Sequence, residues 1–294
     1  MRWNKITLVG VGLLGGSLGL ALRRRKLAKL VAGYVRREAS LKDCERAGAV
    51  DFATTDLLAA VSDAELVVLC TPLAQMKPLV KQMLPALKKG AIVTDVGSAK
   101  GSVVKEIESL VAKAGGSFVG SHPMAGAEKT GVMAASAALF ECAVCVVTPT
   151  KHSNAAAVAK VVRLWKSVGG RVSKMSPDVH DKLVSRSSHL PHVVAAALAS
   201  AVLDPKHSKE IASLCATGFR DTTRIASGSP EMWRDIALAN RPALRVALDE
   251  FLRELRSVQV LVRKKDGDAL LQFFKTAKQR RDNWCAQCVS PTPE

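Results

Sequence analysis

Three groups of residues carry the types and spacings that chemistry needs. The first is Gly10, Val11, Gly12, Leu13, Leu14 and Gly15, a G-x-G-x-x-G run directly after a short apolar stretch and before Gly16 and Ser17, which open a helical pattern. In such a run the first glycine permits a tight turn and the second lets backbone approach a pyrophosphate. The third lets helix and strand pack closely, and the helix N-terminus faces the anion. The second group is Ser98, within Asp95 to Gly101, and His122, within Ser121 to Lys129, each following a β-branched run. A hydroxyl beside an imidazole suits removal of a proton from an alcohol as hydride departs. The third group is His189 and His192 around Pro191, followed by Arg224 in the stretch Gly218 to Ala226. An arginine among small polar and apolar residues makes a bidentate clamp for a carboxylate. The competing reading pairs Arg224 with Asp221 as a surface bridge one helical turn away.

The cofactor side has a second feature. An acid usually ends the second strand of an NAD enzyme and holds the adenosine ribose, but here the chain reads Gly33, Tyr34, Val35, Arg36, Arg37. Two arginines in that place suit a 2′-phosphate, which favours NADP and leaves NAD possible. Glu38 stands a residue or two late, within reach of a ribose if the loop is short. Arg36 and Arg37 are otherwise solvated loop charges in an enzyme that accepts both cofactors. Thr71 and Pro72, at the end of the run Leu66 to Cys70, count with the glycine turn as cofactor-binding positions.

The elements that must position these groups follow from periodicity. Strands are expected at Ile6 to Val9, Leu30 to Val35, Leu66 to Cys70, Ala91 to Val96, Ser117 to Gly120, Ala143 to Thr148 and Arg171 to Lys174. Helical patterns such as Ser17 to Arg25, Leu41 to Ala47, Met76 to Leu87 and Ala155 to Val168 lie between them. That alternation predicts a parallel sheet with crossover helices over residues 1–175, an α/β domain in which Ser98 and His122 leave carboxyl ends of strands, where ligands sit. From Ser176 the strand pattern stops, and Pro177 opens long 3.6-period stretches, so 176–284 reads as an all-α substrate and dimerisation domain. Within it, Val193 to Val202 is apolar on nearly every face and is expected to be buried between helices or across a homodimer interface. Residues 285–294, with two prolines and no periodicity, are expected to be a disordered tail.

Composition narrows the classes of function. The 294 residues allow two ordinary domains, and 48% hydrophobic residues with only 4% aromatics imply a core of Ala, Val and Leu. Forty-three Lys and Arg against 26 Asp and Glu give a formal net charge of +17, a field that attracts anions. Nucleic acid is disfavoured as the partner: the chain holds a single tyrosine for stacking, and the basic residues are interspersed with acids rather than gathered in a stripe. A small anionic substrate fits better. Seven scattered cysteines with no leader pattern point to a reducing cytoplasm, and no apolar run reaches the roughly 18 to 20 residues of a membrane span. Cys285 and Cys288 lack a second pair at zinc spacing and are assigned no metal. His152, His180 and His207 read as loop or surface histidines.

Taken together, these motifs resemble the prephenate and arogenate dehydrogenase family of tyrosine biosynthesis, over nearly the whole chain. The segments SHPMAGAEKTG from Ser121, GFRDTTRIA ending at Ala226, and MWRDI at Met232 to Ile236 carry the resemblance. It implies a Rossmann-type domain with a helical dimerisation domain, and NAD(P)-dependent oxidative decarboxylation that leaves an aromatic ring. It further implies that His122 takes the proton of the ring 4-hydroxyl with Ser98 orienting the pair. Arg224 would hold the ring carboxylate, His192 and His189 would line the pocket, and Glu128 and Thr130 would border the substrate side chain. The rival readings are a β-hydroxyacid-type dehydrogenase, whose lysine and glycine-rich substrate loop are not found at the matching place, and a non-catalytic dinucleotide-binding redox sensor.

Overall fold

β-branched apolar runs alternate with helices along the first part of the chain, and in the computed structural model they fold as one eight-stranded sheet. The structure describes residues 2–126, 129–206 and 209–289. The strands are β1 (Trp3–Val9), β2 (Ala28–Tyr34), β3 (Phe52–Thr54), β4 (Leu66–Leu69), β5 (Ile92–Asp95), β6 (Ser117–Pro123), β7 (Val144–Thr148) and β8 (Arg171–Lys174). They lie in the order β3-β2-β1-β4-β5-β6-β7-β8. All neighbours are parallel except β6 and β7. The chain winds one way from β1 to β3 and the other way from β4 onward, so the carboxyl ends of β1 and β4 border the crevice where such sheets take ligands.

Helices α1 (Leu13–Arg24), α2 (Ala39–Ala47), α3 (Leu57–Val61), α4 (Leu73–Met83), α5 (Gly101–Lys113) and α6 (Ala155–Ser167) connect the strands. After β8 every regular element among the described residues is helical: α7 (Pro177–Val184), α8 (Leu190–Val202), α9 (Lys209–Leu214), α10 (Thr217–Thr223), α11 (Pro230–Ala239), α12 (Arg241–Lys264) and α13 (Gly267–Val289). Ser176 caps α7 through its hydroxyl and Pro177 takes the first helical position, the start expected from the sequence. Among the described residues, no helix is long and apolar enough to cross a membrane.

Several elements depart from the sequence-based reading. The short β3 was not expected, because three residues cannot display a period of two. Helix α1 starts at Leu13, with Gly12 as its cap, rather than at Gly16 or Ser17. Strand β6 runs on through His122 and Pro123, so His122 lies inside a strand and not in the loop after it. Ser117 to Val119 pair with β5 on one side, and Gly120 to Pro123 pair antiparallel with β7 on the other. Gly, Ser, His and Pro have little strand propensity of their own, and pairing with β7 overrides it. The Ala-rich α8 is not enclosed within the chain: only Ala195 is fully buried. At the C-terminus α13 continues to Val289, past the Trp284 where the helical pattern was expected to end, and residues 290–294 lie outside the described set.

The chain divides into two compact units, Met1–Leu244 and Arg245–Glu294. The first includes α7 to α11, because α7 packs on α5 and β7 and α11 packs on α4 and α5. The second holds the rest of α12 and α13, joined by a turn in which Lys265 adopts a left-handed conformation and the Asp266 carboxylate caps the Ala269 amide. Leu252, Leu255, Val262, Leu271 and Phe274 of this unit are exposed.

Candidate active site

The glycine turn sits at the crossing of β1 and β4. Gly10 has φ +98°, and its amide donates to the Tyr34 carbonyl of β2 at 2.9 Å. A Cβ there would lie 2.9 Å from the Cys70 carbonyl oxygen, and a Cβ on Gly15 would lie 2.0 Å from the Gly10 carbonyl oxygen. Around Gly12 a Cβ meets nothing within 4 Å: its open side faces space rather than protein. No side chain caps the N-terminus of α1 and no acid stands in its first turn, so the Leu13, Leu14 and Gly15 amides are presented to an anion. On the adjoining β4 edge, Thr71 Oγ1 is buried without a hydrogen-bond partner, and the exposed Pro72 caps α4. A dinucleotide pyrophosphate fits this open, donor-lined turn. Arg36 and Arg37 are exposed just beyond β2 on the same edge, and neither makes an ion pair among the described residues.

Three strands along the sheet, His122 is buried, 7% exposed. Its Nδ1 lies 2.9 Å from Nε2 of His180, and His180 Nδ1 lies 2.8 Å from Oδ1 of Asp181. Asp181 also accepts the Lys100 amide on Oδ1 and the Gly101 amide on Oδ2, each at 2.8 Å, at the start of α5. Burial opposes the Asp181 charge, but the His180 hydrogen bond and the two amides outweigh it and hold its carboxyl below the usual value. For His122, burial is the largest effect and holds the imidazole well below its ordinary value. The neighbouring His180, Lys100 and His189 push the same way. Beneath this group the fully buried Lys100 ammonium pairs with Asp95 and donates to the Ser121 carbonyl at 3.0 Å. Asp95 in turn accepts the Gly97 and Ser121 amides, while Trp165 Nε1 donates to Ser121 Oγ, which fixes the residue just before the imidazole.

A second wall comes from the helices after β8. Between α7 and α8 the chain forms one π-helical turn, Ser185–His189. Pro191, having no N–H, cannot make the helical bond to the carbonyl four residues back, and the wider turn stands next to it. An α-helix turns about 100° per residue, which would set Asp181 and His189, eight positions apart, about 80° round from each other. The extra residue of the π turn brings His189 round to the side of Asp181, where Asn240 Nδ2 donates to the Asp181 carbonyl at 2.8 Å and lies 3.2 Å from His189 Nδ1. Burial pushes His189 down to about 4, opposed by the Asp181 charge and the Ser98 carbonyl. His192 stacks on Trp233 and donates from Nδ1 to the Ser188 carbonyl at 3.0 Å. Its own value is lowered by burial first and also by the charge of Arg224, whose turn packs against α8.

The sequence-based site residues therefore fall into two sets. His122 and His189 are linked through His180, Asp181 and Asn240, and His192 stands beside them against Trp233 with Arg224 next to it. Thr130 is exposed on the loop after β6, and Glu128 lies outside the described residues. Ser98 is half-buried on the loop after β5, but the partner of the His122 ring is His180 rather than Ser98. Asp221 lies beside Arg220. His152 is exposed as expected, and His207 lies outside the described residues. His180 corrects the reading made from sequence: it is fully buried and bonded to His122 instead of lying on the surface. Sequence reasoning also passed over Asp181, Asn240, Trp233 and Lys100. The available clue was polar residues at buried helical spacing, since His180, Asp181 and Ser185 share the inward side of the helix with Val184.

A glycine turn built for a dinucleotide, a buried neutral imidazole and a helical wall of histidines define a nicotinamide-dependent oxidoreductase. Comparison with known proteins gives the family. The model of the prephenate dehydrogenase nucleotide-binding domain matches residues 18–174, and that of the prephenate dehydrogenase dimerization domain matches 176–276. Cyclohexadienyl dehydrogenase of Zymomonas mobilis is 37% identical over 95% of each chain. Prephenate dehydrogenase of Bacillus subtilis is 36% identical over 95% of this chain and 76% of its own. The structure of Aquifex aeolicus prephenate dehydrogenase in complex with hydroxyphenyl propionate and NAD+ superposes with a TM-score of 0.90 at 33% identity, covering 96% of this chain and 99% of that one. The chain belongs to the prephenate dehydrogenase family.

Proposed function

We propose that the enzyme oxidises and decarboxylates prephenate or arogenate to the corresponding 4-hydroxyphenyl product, with His122 as the base and NADP as the preferred cofactor. The observation that carries this reading is the His122 imidazole, buried, held neutral, and engaged at Nδ1 by His180, which leaves Nε2 to accept the proton of the ring hydroxyl. The hydroxyphenyl carboxylate and NAD+ of the Aquifex relative support the same ligand classes here. When bound at the glycine turn, the nicotinamide supplies the hydride acceptor. Aromatisation of the ring drives the loss of carbon dioxide, so the chain's own task is orientation and proton removal. Arg224, beside His192, is assigned the ring carboxylate, and Trp233 with His192 the wall against which the substrate lies. Ser98, at the mouth between β5 and His189, borders the same space, with Glu128 and Thr130 assigned to the substrate side chain.

Arg36 and Arg37 support NADP, since no acid stands at the end of β2 to prefer a free ribose hydroxyl. Following reduced nicotinamide by absorbance, with both substrates crossed against both cofactors, tests these claims. A lower KM for NADP than for NAD is expected, and Arg36→Ala combined with Arg37→Ala should remove that difference; equal use of both by the unaltered enzyme overturns the preference. His122→Asn should lose turnover by about 10² to 10⁴ while still binding cofactor. Turnover preserved in that variant overturns the assignment of the base. The exposed apolar residues of α12 and α13, together with the half-buried α8, support a homodimer through the helical part. The unpaired cysteines support a reducing, cytoplasmic setting.

A further inference from the structure

We propose that Asp181 and His180 are positioning residues that fix the tautomer of His122, holding its proton on Nδ1 and keeping the Nε2 lone pair available to substrate. The proposal rests on the reading of His122 as the base. Its geometry starts at the backbone. The Lys100 and Gly101 amides at the head of α5 both donate to the Asp181 carboxylate, which selects its ionised, accepting form. An accepting carboxylate requires the proton of His180 on Nδ1, 2.8 Å away. The neutral His180 ring then has only an acceptor at Nε2, so across the 2.9 Å contact His122 must donate from Nδ1. Each partner in this line settles the next, and the last atom in it is the free nitrogen of His122. The two rings meet edge to face, with centroids 5.1 Å apart, which keeps the contact in line with the ring nitrogens.

The order of donors matters because it can be reversed. Were the His122–His180 pair to take up a proton, His180 would donate from both nitrogens and His122 would turn its acceptor inward, presenting an N–H where a base is needed. The titratable and charged groups around the two rings are Asp181 on α7, Lys100 at the start of α5 with Asp95 of β5, and His189 of the π turn. Asp181 is the carboxylate bonded directly to this pair, so its replacement changes the tautomer and takes away the negative charge behind the His122 base.

The test uses the full-length enzyme. Asp181→Asn should lower kcat by about a hundredfold or more with KM for both ligands within about twofold, and should move the acid limb of the kcat profile to lower pH. His180→Leu should show a similar loss in kcat. His180→Gln, whose side-chain oxygen can still accept from His122 Nδ1, should recover at least about tenfold relative to His180→Leu. Nitrogen-15 spectra of histidine-labelled, unaltered enzyme, with the His122 signals identified by their absence in His122→Asn, should show Nδ1 protonated and Nε2 bare, and this reading needs no variant to fold. An Nε2-protonated His122 in the resting enzyme, or Asp181→Asn turning over within about threefold of the unaltered protein, overturns the proposal. If His122→Asn is itself active, the base assignment falls instead, so the two failures are told apart.

Discussion

His192 lies flat against Trp233, with ring centroids 3.6 Å apart and planes 25° from parallel. The same histidine is fixed at its other edge by the Ser188 carbonyl, so the indole and the main chain together leave it one orientation. Trp233→Leu removes one of the two restraints without touching His122. The expected result is a KM for substrate raised about tenfold or more with kcat changed by less than about threefold, measured in steady-state assays. A fall in kcat at constant KM would place Trp233 in the chemical step instead.

Stability should fall on the acid side of neutrality. His122, His189 and His192 are all held below their ordinary value of 6.5, His189 at about 4. The unfolded chain therefore takes up protons that the folded chain refuses. The stabilisation is complete above about pH 6.5 and is lost as pH falls from there, toward about 4 for His189, whose buried ring contributes up to about 1.4 kcal/mol per pH unit, with less from the partly exposed His192. Asp181, also depressed, adds a loss that begins only near its ordinary value of 3.8. Urea denaturation midpoints between pH 7.5 and about pH 4 read the slope, and His189→Gln should flatten it; a slope of zero would contradict the burial of these rings as neutral groups.

Two glycines of the cofactor turn should behave in opposite ways. Gly15→Ala forces a methyl to 2.0 Å from the Gly10 carbonyl oxygen, so the turn must deform, and both thermal midpoint and cofactor affinity should drop. Gly12→Ala adds a methyl into open space and should leave the thermal midpoint within about 2 °C. Its cost appears only when dinucleotide binds, as a dissociation constant raised about tenfold or more by titration. Unchanged cofactor binding in Gly12→Ala would remove the pyrophosphate from that spot.

The buried pair of Lys100 and Asp95 makes a third structural test. Among the described residues, Lys100→Met leaves a fully buried carboxylate with only the Gly97 and Ser121 amides for partners. A loss of about 3 kcal/mol or more in unfolding free energy is expected, and adding Asp95→Asn should restore part of it. Because both residues hold the strand that carries His122, the single variant should also lose activity before it loses fold, which parallel assays along a denaturant series would reveal.

The parts of this molecule that depend on local pattern were legible in the chain. The glycine turn, the parallel strands and the helix start at Ser176 and Pro177 each follow from neighbouring residues, and so the α/β architecture with its helical continuation was readable too. What escaped was set by pairing at a distance. His122 was read into a loop because nothing near it favours a strand; its strand comes from β7, about two dozen residues later. His180 was read as a surface residue because its partners, His122 and the amides that orient Asp181, are 58 and about 80 residues away along the chain. A lone histidine on a helix gives no sign of such company, and the sign that did exist, an acid and an imidazole on an inward face, is visible only once the face is known.

The π turn at Ser185–His189 holds one residue more than ordinary helical pitch needs, a matter of chain length that side-chain chemistry does not record. Removing one residue from Ser185 to Ser188 would let the segment close as ordinary helix, four residues turning through about the angle that five take in the wider turn. His189 and His192 should then still face Asn240 and Trp233. A residue removed between Asp181 and Ser185, where the pitch is already regular, would instead swing both imidazoles by about 100°, so the wider turn is the place along this stretch with length to spare.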